Sequence, residues 1–463
     1  MRTHLLLAFF LVIALLAGFL ISRYPPGILI WATLACTIFI VAFINIDWGL
    51  YILIFSMLLS PEIIIGETTG ATLGRGVTLR FEDFLLIVIG FSWFAKNAVH
   101  KELGLFLKTP LNKAIFFYIF SCLLSTGFGV INSRVGLTTG LLFVLKYIEY
   151  FIVFFMMVNH VKSTAQIKRL VFCLLLTCLI TSVIGILQIP GDARVSAPFE
   201  GERGEPNTLG GYLLFIGAIA AGLSIKTENP RLRHSLILLI IIMISPFLYT
   251  QSRSSYLGLV PVCLLLGLMT ARKIIVVGIL IIGFLLSPLI LPSHVKDRIL
   301  FTFRQTQERG QVEVGGLRLD TSTSARLVSL KQILADWPKH PILGYGVTGY
   351  KFADTQFPRV LIETGILGIF AFLYLLHSIF KLTLQNLKKV KTPYFKGLTV
   401  GFLAGFIGLL FHALGANTFV LVRIMEPFWF FAGIIVILPE LERQEIAQAQ
   451  EIPQRAKKLA SVM

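Results

Sequence analysis

The stretch DTQFPRVLIETGILG, residues 354–368, joins the longest polar segment of this 463-residue chain to the apolar sequence that follows it. The polar segment runs from about Leu291 to Phe357, with apolar runs of near-spanning length on both sides. Sequence that crosses a bilayer has little freedom beyond staying apolar, whereas a long polar loop between spans can carry binding and catalytic groups. We therefore expect the functional site to involve this segment.

The composition is typical of a polytopic helical membrane protein. Hydrophobic residues make up 56% of the chain and charged residues 14%, and the mean hydropathy is +0.83. These values exclude an ordinary soluble globular protein. The formal net charge of +17 would suit nucleic acid only if Lys and Arg gathered on one soluble face. They are instead spread through short loops, so we expect a lipid bilayer as partner and no nucleic acid.

Apolar runs predict an all-α fold of about twelve to fourteen transmembrane helices. One large extracytoplasmic loop with short helices interrupts them. The N-terminal run is interpreted as a first helix that stays, because it lacks a convincing cleavage site. The run at 48–65 is expected to be irregular near Pro61 and Glu62. The predicted spans are 4–22, 26–45, 48–65, 83–95, 111–131, 138–158, 169–190, 206–225, 235–250, 254–271, 273–291, 359–380, 397–415 and 418–438.

The distribution of Lys and Arg predicts the orientation in a bacterial cytoplasmic membrane. With the N-terminus inside, alternate loops on the cytoplasmic side hold most of the lysines, as the positive-inside rule requires. Both termini are then cytoplasmic and the long loop is extracytoplasmic. The chain divides into N-terminal helices at 1–291, the large loop at 292–358, C-terminal helices at 359–438 and a cytoplasmic tail at 439–463.

All five cysteines lie in apolar runs, which argues against disulfides and thiolate metal sites. We therefore predict no metal and no cofactor.

Three arginine motifs lie at the outer ends of predicted helices. Arg203 begins RGEPN, where Asn207 could cap the next helix and backbone amides would face the same pocket. Arg253 lies in the turn QSRSS, and Arg326 opens a predicted helix through RLVSLKQILADW. A single interfacial arginine is more often a lipid anchor. Three on one side favour a site for a phosphorylated, membrane-borne ligand, since guanidinium binds two phosphate oxygens at once.

In order and spacing, these motifs resemble those of the O-antigen ligase and O-antigen polymerase superfamily. The resemblance runs from about Gly201 to Phe370 and rests on RGEPN, SRSS, SARLVSLKQILADWPKHPILGYGVTGY and DTQFPRVLIETGILG. It implies a bacterial membrane glycosyltransferase that works without a metal and inverts the anomeric configuration. The donor is a glycan on undecaprenyl diphosphate, and the acceptor is a hydroxyl of a glycan or lipid. Arg253 and Arg326 match positions implicated in activity, and Arg203 and Asn207 match a family motif.

The chain departs from the family pattern at the residue that would act as the catalytic base. Ligases of the family usually carry His-Asn ahead of the E-T-G turn, whereas this chain has Asp354 and Thr355 there. Asp354 could still take a proton from a hydroxyl or orient it, or could simply shape the loop. Glu363 is an alternative base, or else a partner for Arg359. Tyr345 could stack on sugar, and together with Arg203, Asn207, Arg359 and Glu363 it is predicted to bind substrate.

The absence of this histidine helps to distinguish a polymerase from a ligase within the family. Family members that polymerise repeat units often carry an acidic residue there, so the resemblance favours a polymerase that acts alone or with a chain-length regulator. A ligase that transfers glycan to lipid A core or another acceptor remains the alternative. A lipid-linked oligosaccharide flippase or polysaccharide exporter is the rival from another class. A transporter is expected to show repeated halves and no large one-sided loop, and the sequence fits neither expectation.

Overall fold

The computed structural model describes residues 26–65, 77–99, 108–191, 194–200, 204–270, 311–314 and 317–460, together with 296 and 300. Within them the chain forms thirteen α-helices and two short antiparallel hairpins. The hairpins pair β1 (Glu62–Ile65) with β2 (Val77–Arg80) and β3 (Glu313–Val314) with β4 (Leu317–Arg318). The helices are α1 Pro26–Ile44, α2 Ile46–Leu59, α3 Phe81–Val99, α4 Asn112–Ile131, α5 Leu137–His160, α6 Thr164–Gln188, α7 Pro206–Lys226, α8 Pro230–Tyr249, α9 Arg253–Leu268, α10 Thr321–Asp336, α11 Gln356–Lys389, α12 Pro393–His412 and α13 Val422–Ala460.

The predicted class, an all-α polytopic membrane protein, is confirmed. Eight helices among the described residues are long and apolar enough to cross a bilayer, namely α4, α5, α6, α7, α8, α11, α12 and α13. Two shorter apolar helices, α2 and α9, accompany them. The predicted spans 4–22 and 273–291 lie outside the described residues. The chain is thus a multi-pass integral membrane protein.

Three helix ends differ clearly from the predicted spans. The largest difference is in α13, which continues to Ala460, beyond the predicted end at 438 and into the predicted tail. The 48–65 run is irregular as expected, because α2 ends at Leu59 and the residues beyond Pro61 form strand β1. The hairpin itself was not predicted, since its two strands are only four residues long. α11 continues to Lys389, beyond the predicted end at 380, because its last turns are polar yet rich in good helix formers.

The chain divides into two compact units. The first contains Met1–Leu53 and Glu82–Leu105. In it, the hydroxyl of Ser92 in α3 donates to the carbonyl of Phe39 in α1 at 3.2 Å. The second contains Ile54–Phe81 and Phe106–Met463, and it holds every element described below.

Close backbone packing of α7, α9 and α12 forms the centre of the second unit. A Cβ atom on Gly222 of α7 would lie 2.5 Å from the backbone of Gly401 in α12. A Cβ atom on Gly258 of α9 would lie 2.6 Å from the carbonyl oxygen of Gly408 in the same helix α12. Small residues at such contacts let apolar helices approach closely, which replaces the missing hydrophobic driving force within a bilayer. The ends of these three helices can therefore hold a site in fixed geometry.

In the described part of the long polar segment, helix α10 is the longest element. This helix begins at Thr321 with Asp320 as its N-cap, one turn before the predicted start at Arg326. Asp320 is the better cap because its carboxylate accepts a hydrogen bond from the amide of Thr323 at 3.3 Å. Ile333 of α10 packs into a small buried cluster with Ala353 and Ile362. The segment is thus anchored at both ends of α10.

A break at Gly365 divides α11, and the residues around it are hydrogen-bonded to the glycine-rich loop PILGYGVTGY, residues 341–350. Gly365 has φ 64° and ψ −164°, which lies outside the helical region. The break frees backbone groups on both sides, and the loop pairs with them. The amide of Gly346 donates to the carbonyl of Glu363 at 2.8 Å, and the amide of Ile366 donates to that of Pro341 at 2.8 Å. The first part of α11, from Gln356 to Thr364, is therefore held in place by the loop.

Candidate active site

A cleft opens where the start of α7, the first half of α10, the start of α11 and the α12–α13 connection come together. It encloses about 420 Å³, including space at its open mouth. Four residues predicted from the sequence, Asn207, Arg326, Asp354 and Arg359, share this cleft although they lie far apart in the chain. The lining residues are Glu205, Asn207, Arg326, Phe352, Asp354, Arg359, Gly415, Ala416, Asn417, Val420 and Leu421.

Arg326 brings a fixed positive charge to the cleft. Its Nε atom is buried and has no hydrogen-bond partner among the described residues. Burial lowers the pKa of Arg326, and the negative charge of Asp354 partly offsets this effect. A guanidinium group nevertheless stays protonated at any physiological pH. A buried N–H without a partner is costly, so this arginine is suited to an anionic ligand that supplies the missing acceptor.

An ion pair between Arg253 and Asp320 ties α9 to α10. Nη2 of Arg253 donates to Oδ2 of Asp320 at 2.8 Å, and Asp320 is only 1% exposed. Burial alone would raise the pKa of Asp320, but the hydrogen bonds from Arg253 and Thr323 and the positive charge of Arg253 outweigh it and lower the pKa. This carboxylate fixes Arg253 directly. Through the start of α10 it also fixes Arg326.

Replacing Asp320 by Asn is expected to lower, by about tenfold, the rate of the glycan transfer that the sequence resemblance implies. Asn caps a helix as well as Asp does, so α10 should keep its start while Arg253 loses its counter-charge, a change that is costly for a buried pair. The measurement is the initial rate of purified protein in detergent, with the thermal unfolding midpoint alongside. Glu313→Gln is the matched control, because its pair with Arg318 at 2.9 Å is exposed and should contribute little. Equal rates for the two variants would contradict this role.

Arg359 and Glu363 form a buried ion pair at the start of α11. Nε of Arg359 lies 3.2 Å from Oε1 of Glu363, and the two side chains are 8% and 9% exposed. Glu363 also accepts from the amide of Thr348 at 3.3 Å, whereas Arg359 reaches the cleft and lies 5.8 Å from the ring centre of Phe352. The pairing considered from the sequence is thus present. Glu363 serves as the counter-ion of Arg359 and does not line the cleft.

Asn207 lies in the first turn of α7 and does not cap it. The expectation of an Asn207 cap is wrong, because Glu205 is the N-cap and Pro206 occupies the first helical position, where its missing N–H costs nothing. The side-chain oxygen of Asn207 accepts a hydrogen bond from the hydroxyl of Ser252 at 2.8 Å. Ser252 directly precedes Arg253. Asn207 therefore connects the cleft to the start of α9.

Besides Glu363, two further residues that were predicted to bind substrate are not placed in the cleft. Arg203 lies outside the described residues. The hydroxyl of Tyr345 donates to the carbonyl of Asp336 at 3.2 Å, and its ring packs edge-on against His340 with centres 4.6 Å apart. Tyr345 therefore stabilises the fold of the polar segment, at a distance from the cleft lining.

Sequence reasoning missed Asp320 and the connection between α12 and α13. Asp320 sits in an unremarkable LRLDTST stretch, and only the fold brings it to Arg253. Gly415, Ala416 and Asn417 of the connection line the cleft, but small and amide residues after an apolar run look like any turn. Among the described residues, no group of three His, Cys, Asp or Glu side chains could hold a metal ion.

Part of the chain matches a known protein family. Residues 237–373 match the O-antigen ligase family, and this range contains Arg253, Arg326, Asp354 and Arg359. A comparison with curated proteins gave no match. The family implies a membrane glycosyltransferase of the O-antigen ligase or polymerase type, with lipid-linked glycans as substrates. The resemblance recognised in the sequence is thus confirmed, and the chain carries an O-antigen ligase family domain at residues 237–373.

Proposed function

We propose that the protein polymerises repeat units of a surface or exported polysaccharide from an undecaprenyl-diphosphate donor. The observation that carries the proposal is the meeting of Arg326, Arg359, Asp354 and Asn207 in one cleft. Arginines suit a diphosphate, and a carboxylate beside them suits an acceptor hydroxyl. The acidic residue in place of the family histidine supports polymerisation over ligation to lipid A core.

The proposed reaction is a single displacement. The acceptor hydroxyl oxygen attacks the anomeric carbon, and a new glycosidic C–O bond forms as the bond to the diphosphate breaks. The lipid diphosphate leaves with the bonding electron pair, and the hydroxyl proton passes to the carboxylate of Asp354. Attack opposite the leaving group inverts the anomeric configuration.

The arginines stabilise the leaving group in this scheme, and no metal takes part. Arg326 faces the cleft with a buried, unpartnered Nε, and Arg253 is held 2.8 Å from Asp320 beside it. Charge that develops on the diphosphate oxygens is stabilised by donors already in position. Arg203, which precedes α7 in the sequence, is proposed as a further donor to the diphosphate. Arg359 and Asn207 are proposed as the remaining residues that bind the substrate.

The proposed setting is a bacterial cytoplasmic membrane. Both termini face the cytoplasm, and the loop at 292–358 lies on the outer side between the N-terminal helices at 1–291 and the C-terminal helices at 359–438, with the tail at 439–463 inside. Support comes from the predominance of lysine in alternate loops. The cleft then meets lipid-linked glycans on the outer face of the membrane.

Replacing Asp354 by Asn is expected to lower the turnover number by about 100-fold or more, the range found for loss of a general base. The assay supplies purified protein with the lipid-diphosphate oligosaccharide alone and separates the products by chain length. The wild-type protein should give a ladder of longer lipid-linked chains. Glu313→Gln, an exposed carboxylate on the β3–β4 hairpin, should give the same ladder as the wild type.

The assay also separates the alternatives. Product that forms only after addition of lipid A core or another acceptor lipid would replace the polymerase proposal with a ligase. A wild-type ladder from folded Asp354→Asn protein would remove Asp354 from the mechanism. Absence of product from folded wild-type protein with a matched donor and either acceptor would overturn the proposed function.

A further inference from the structure

The connection between α12 and α13 contributes a wall of the cleft. Gly415, Ala416 and Asn417 lie in it and line the cleft, yet they follow the end of the matched family range at residue 373. The connection is firmly built. Nδ1 of the buried His412 lies 2.7 Å from the hydroxyl of Thr418, and a Cβ atom on Gly415 would lie 2.5 Å from the hydroxyl of Ser254 in α9.

Three hydrogen bonds join this connection to the residues on either side of Asp354. The amide Nδ2 of Asn417 donates to the carbonyl of Ala353, directly before Asp354, at 2.7 Å. Gln356, two residues after Asp354, is fully buried. Its backbone amide donates to the carbonyl of Ala413 at 3.3 Å, and its side-chain oxygen accepts from the amide of Phe419 at 2.9 Å. The chain that carries Asp354 is thus held before and after that residue.

The side chain of Asp354 depends on this backbone support. Asp354 is exposed to the cleft, and its carboxylate accepts no hydrogen bond from the part of the chain that the structure describes. Its negative charge acts on Arg326 in the same cleft, where it partly offsets the lowering of the Arg326 pKa by burial. A group without its own hydrogen bonds is placed by the backbone beneath it, and a displacement of about 1 Å can cost about 100-fold in rate.

We infer that Asn417 is a positioning residue for Asp354, acting through the carbonyl of Ala353. The inference rests on the proposed function, in which Asp354 receives the acceptor proton. Asn417 holds the peptide that precedes Asp354 at the distance from Arg326 that the transfer requires. It does so through the backbone, so its loss should lower the turnover number by a larger factor than it changes the donor KM.

A double-mutant cycle with Asp354 tests this inference. Asn417→Ala is expected to lower the turnover number about tenfold in the wild-type background and less than twofold in the Asp354→Asn background, because residues that act as a unit are not additive. Asn417→Asp, which keeps the shape and loses the donor to Ala353, serves as the second variant and should give the same pattern. The matched control is Asn132→Ala, since Asn132 also donates to a backbone carbonyl, that of Phe128 at 2.8 Å, but is exposed.

The outcomes separate the inference from the proposed function. An equal fall in both backgrounds, or a fall confined to the donor KM, would overturn the positioning role while Asp354 kept its own. Wild-type turnover in folded Asp354→Asn protein would instead overturn the function assigned to Asp354, and the inference with it. A thermal unfolding midpoint within a few degrees of that of the wild type shows that a variant is folded. If both Asn417 variants fail this check while Asn132→Ala passes, the residue is structural and the inference is wrong.

Discussion

Replacing Arg326 by alanine is expected to abolish glycan transfer, with a fall in the turnover number of at least about 100-fold. Loss of one well-placed donor to a developing anion costs about 10²–10³ in rate. Arg326 should be at the upper end, because its Nε is buried without a partner and Asp354 shares its cleft. The measurement is single-turnover transfer from the lipid-diphosphate donor by purified, folded protein.

Two further variants define the cause of the Arg326 effect. Arg326→Lys keeps the charge and loses the planar fork, so partial recovery of a few fold is expected if two oxygens are held at once. Arg318→Ala removes an exposed arginine from the same polar segment, 43% exposed in its side chain, and should leave the rate within about twofold of the wild type, as the small energies of exposed pairs indicate. Full activity of folded Arg326→Ala protein would exclude Arg326 from leaving-group stabilisation.

Much of the architecture was predictable because a segment that spans a bilayer must be apolar over most of its length, and such segments are recognisable in the sequence. Apolar length gave the helices, and turn residues gave most of their ends. Arg326 was found in the sequence because a charge at a helix end is costly and stands out against an apolar background. Asp354 was found through the family resemblance, because it occupies the position of the family histidine, and Arg359 as a possible partner of Glu363. Their meeting with Asn207 in one cleft depends on contacts between distant segments, such as the ion pair of Arg253 with Asp320 and the hydrogen bond from Asn417 to Ala353, which no local pattern indicates.

The rest of the site could not be predicted, for physical reasons that differ between residues. Asp320 acts through a contact with Arg253, so its role depends on where two distant segments meet. Asn417 acts through a backbone carbonyl, and a carbonyl has no side chain to mark it. The start of α10 was placed a turn late because the apolar pattern begins at Leu327, whereas the cap at Asp320 precedes it.

Gly365 is a position where the addition of a single methyl group is expected to destabilise the fold. Its backbone, at φ 64° and ψ −164°, lies in a region open essentially only to glycine, which costs other residues about 1–3 kcal/mol. A Cβ atom there would also lie only 2.3 Å from the carbonyl oxygen of Ile342. Gly365→Ala should therefore lower the free energy of unfolding by about 3 kcal/mol or more, with the steric clash added to the backbone strain.

The same change should also disable the site, because the break at Gly365 fixes the part of α11 that carries Arg359. The glycine-rich loop is hydrogen-bonded to both sides of this break, so a shift there displaces Asp354 and Arg359 together. Thermal unfolding in detergent and the transfer rate are measured on the same preparation. Gly127→Ala is the matched control: this helical glycine has nothing within 4 Å of an added Cβ, so the change should stabilise by about 0.5–1 kcal/mol. Equal stability of the two variants would show that the backbone at Gly365 tolerates a side chain, and the link from this break to the cleft would fail.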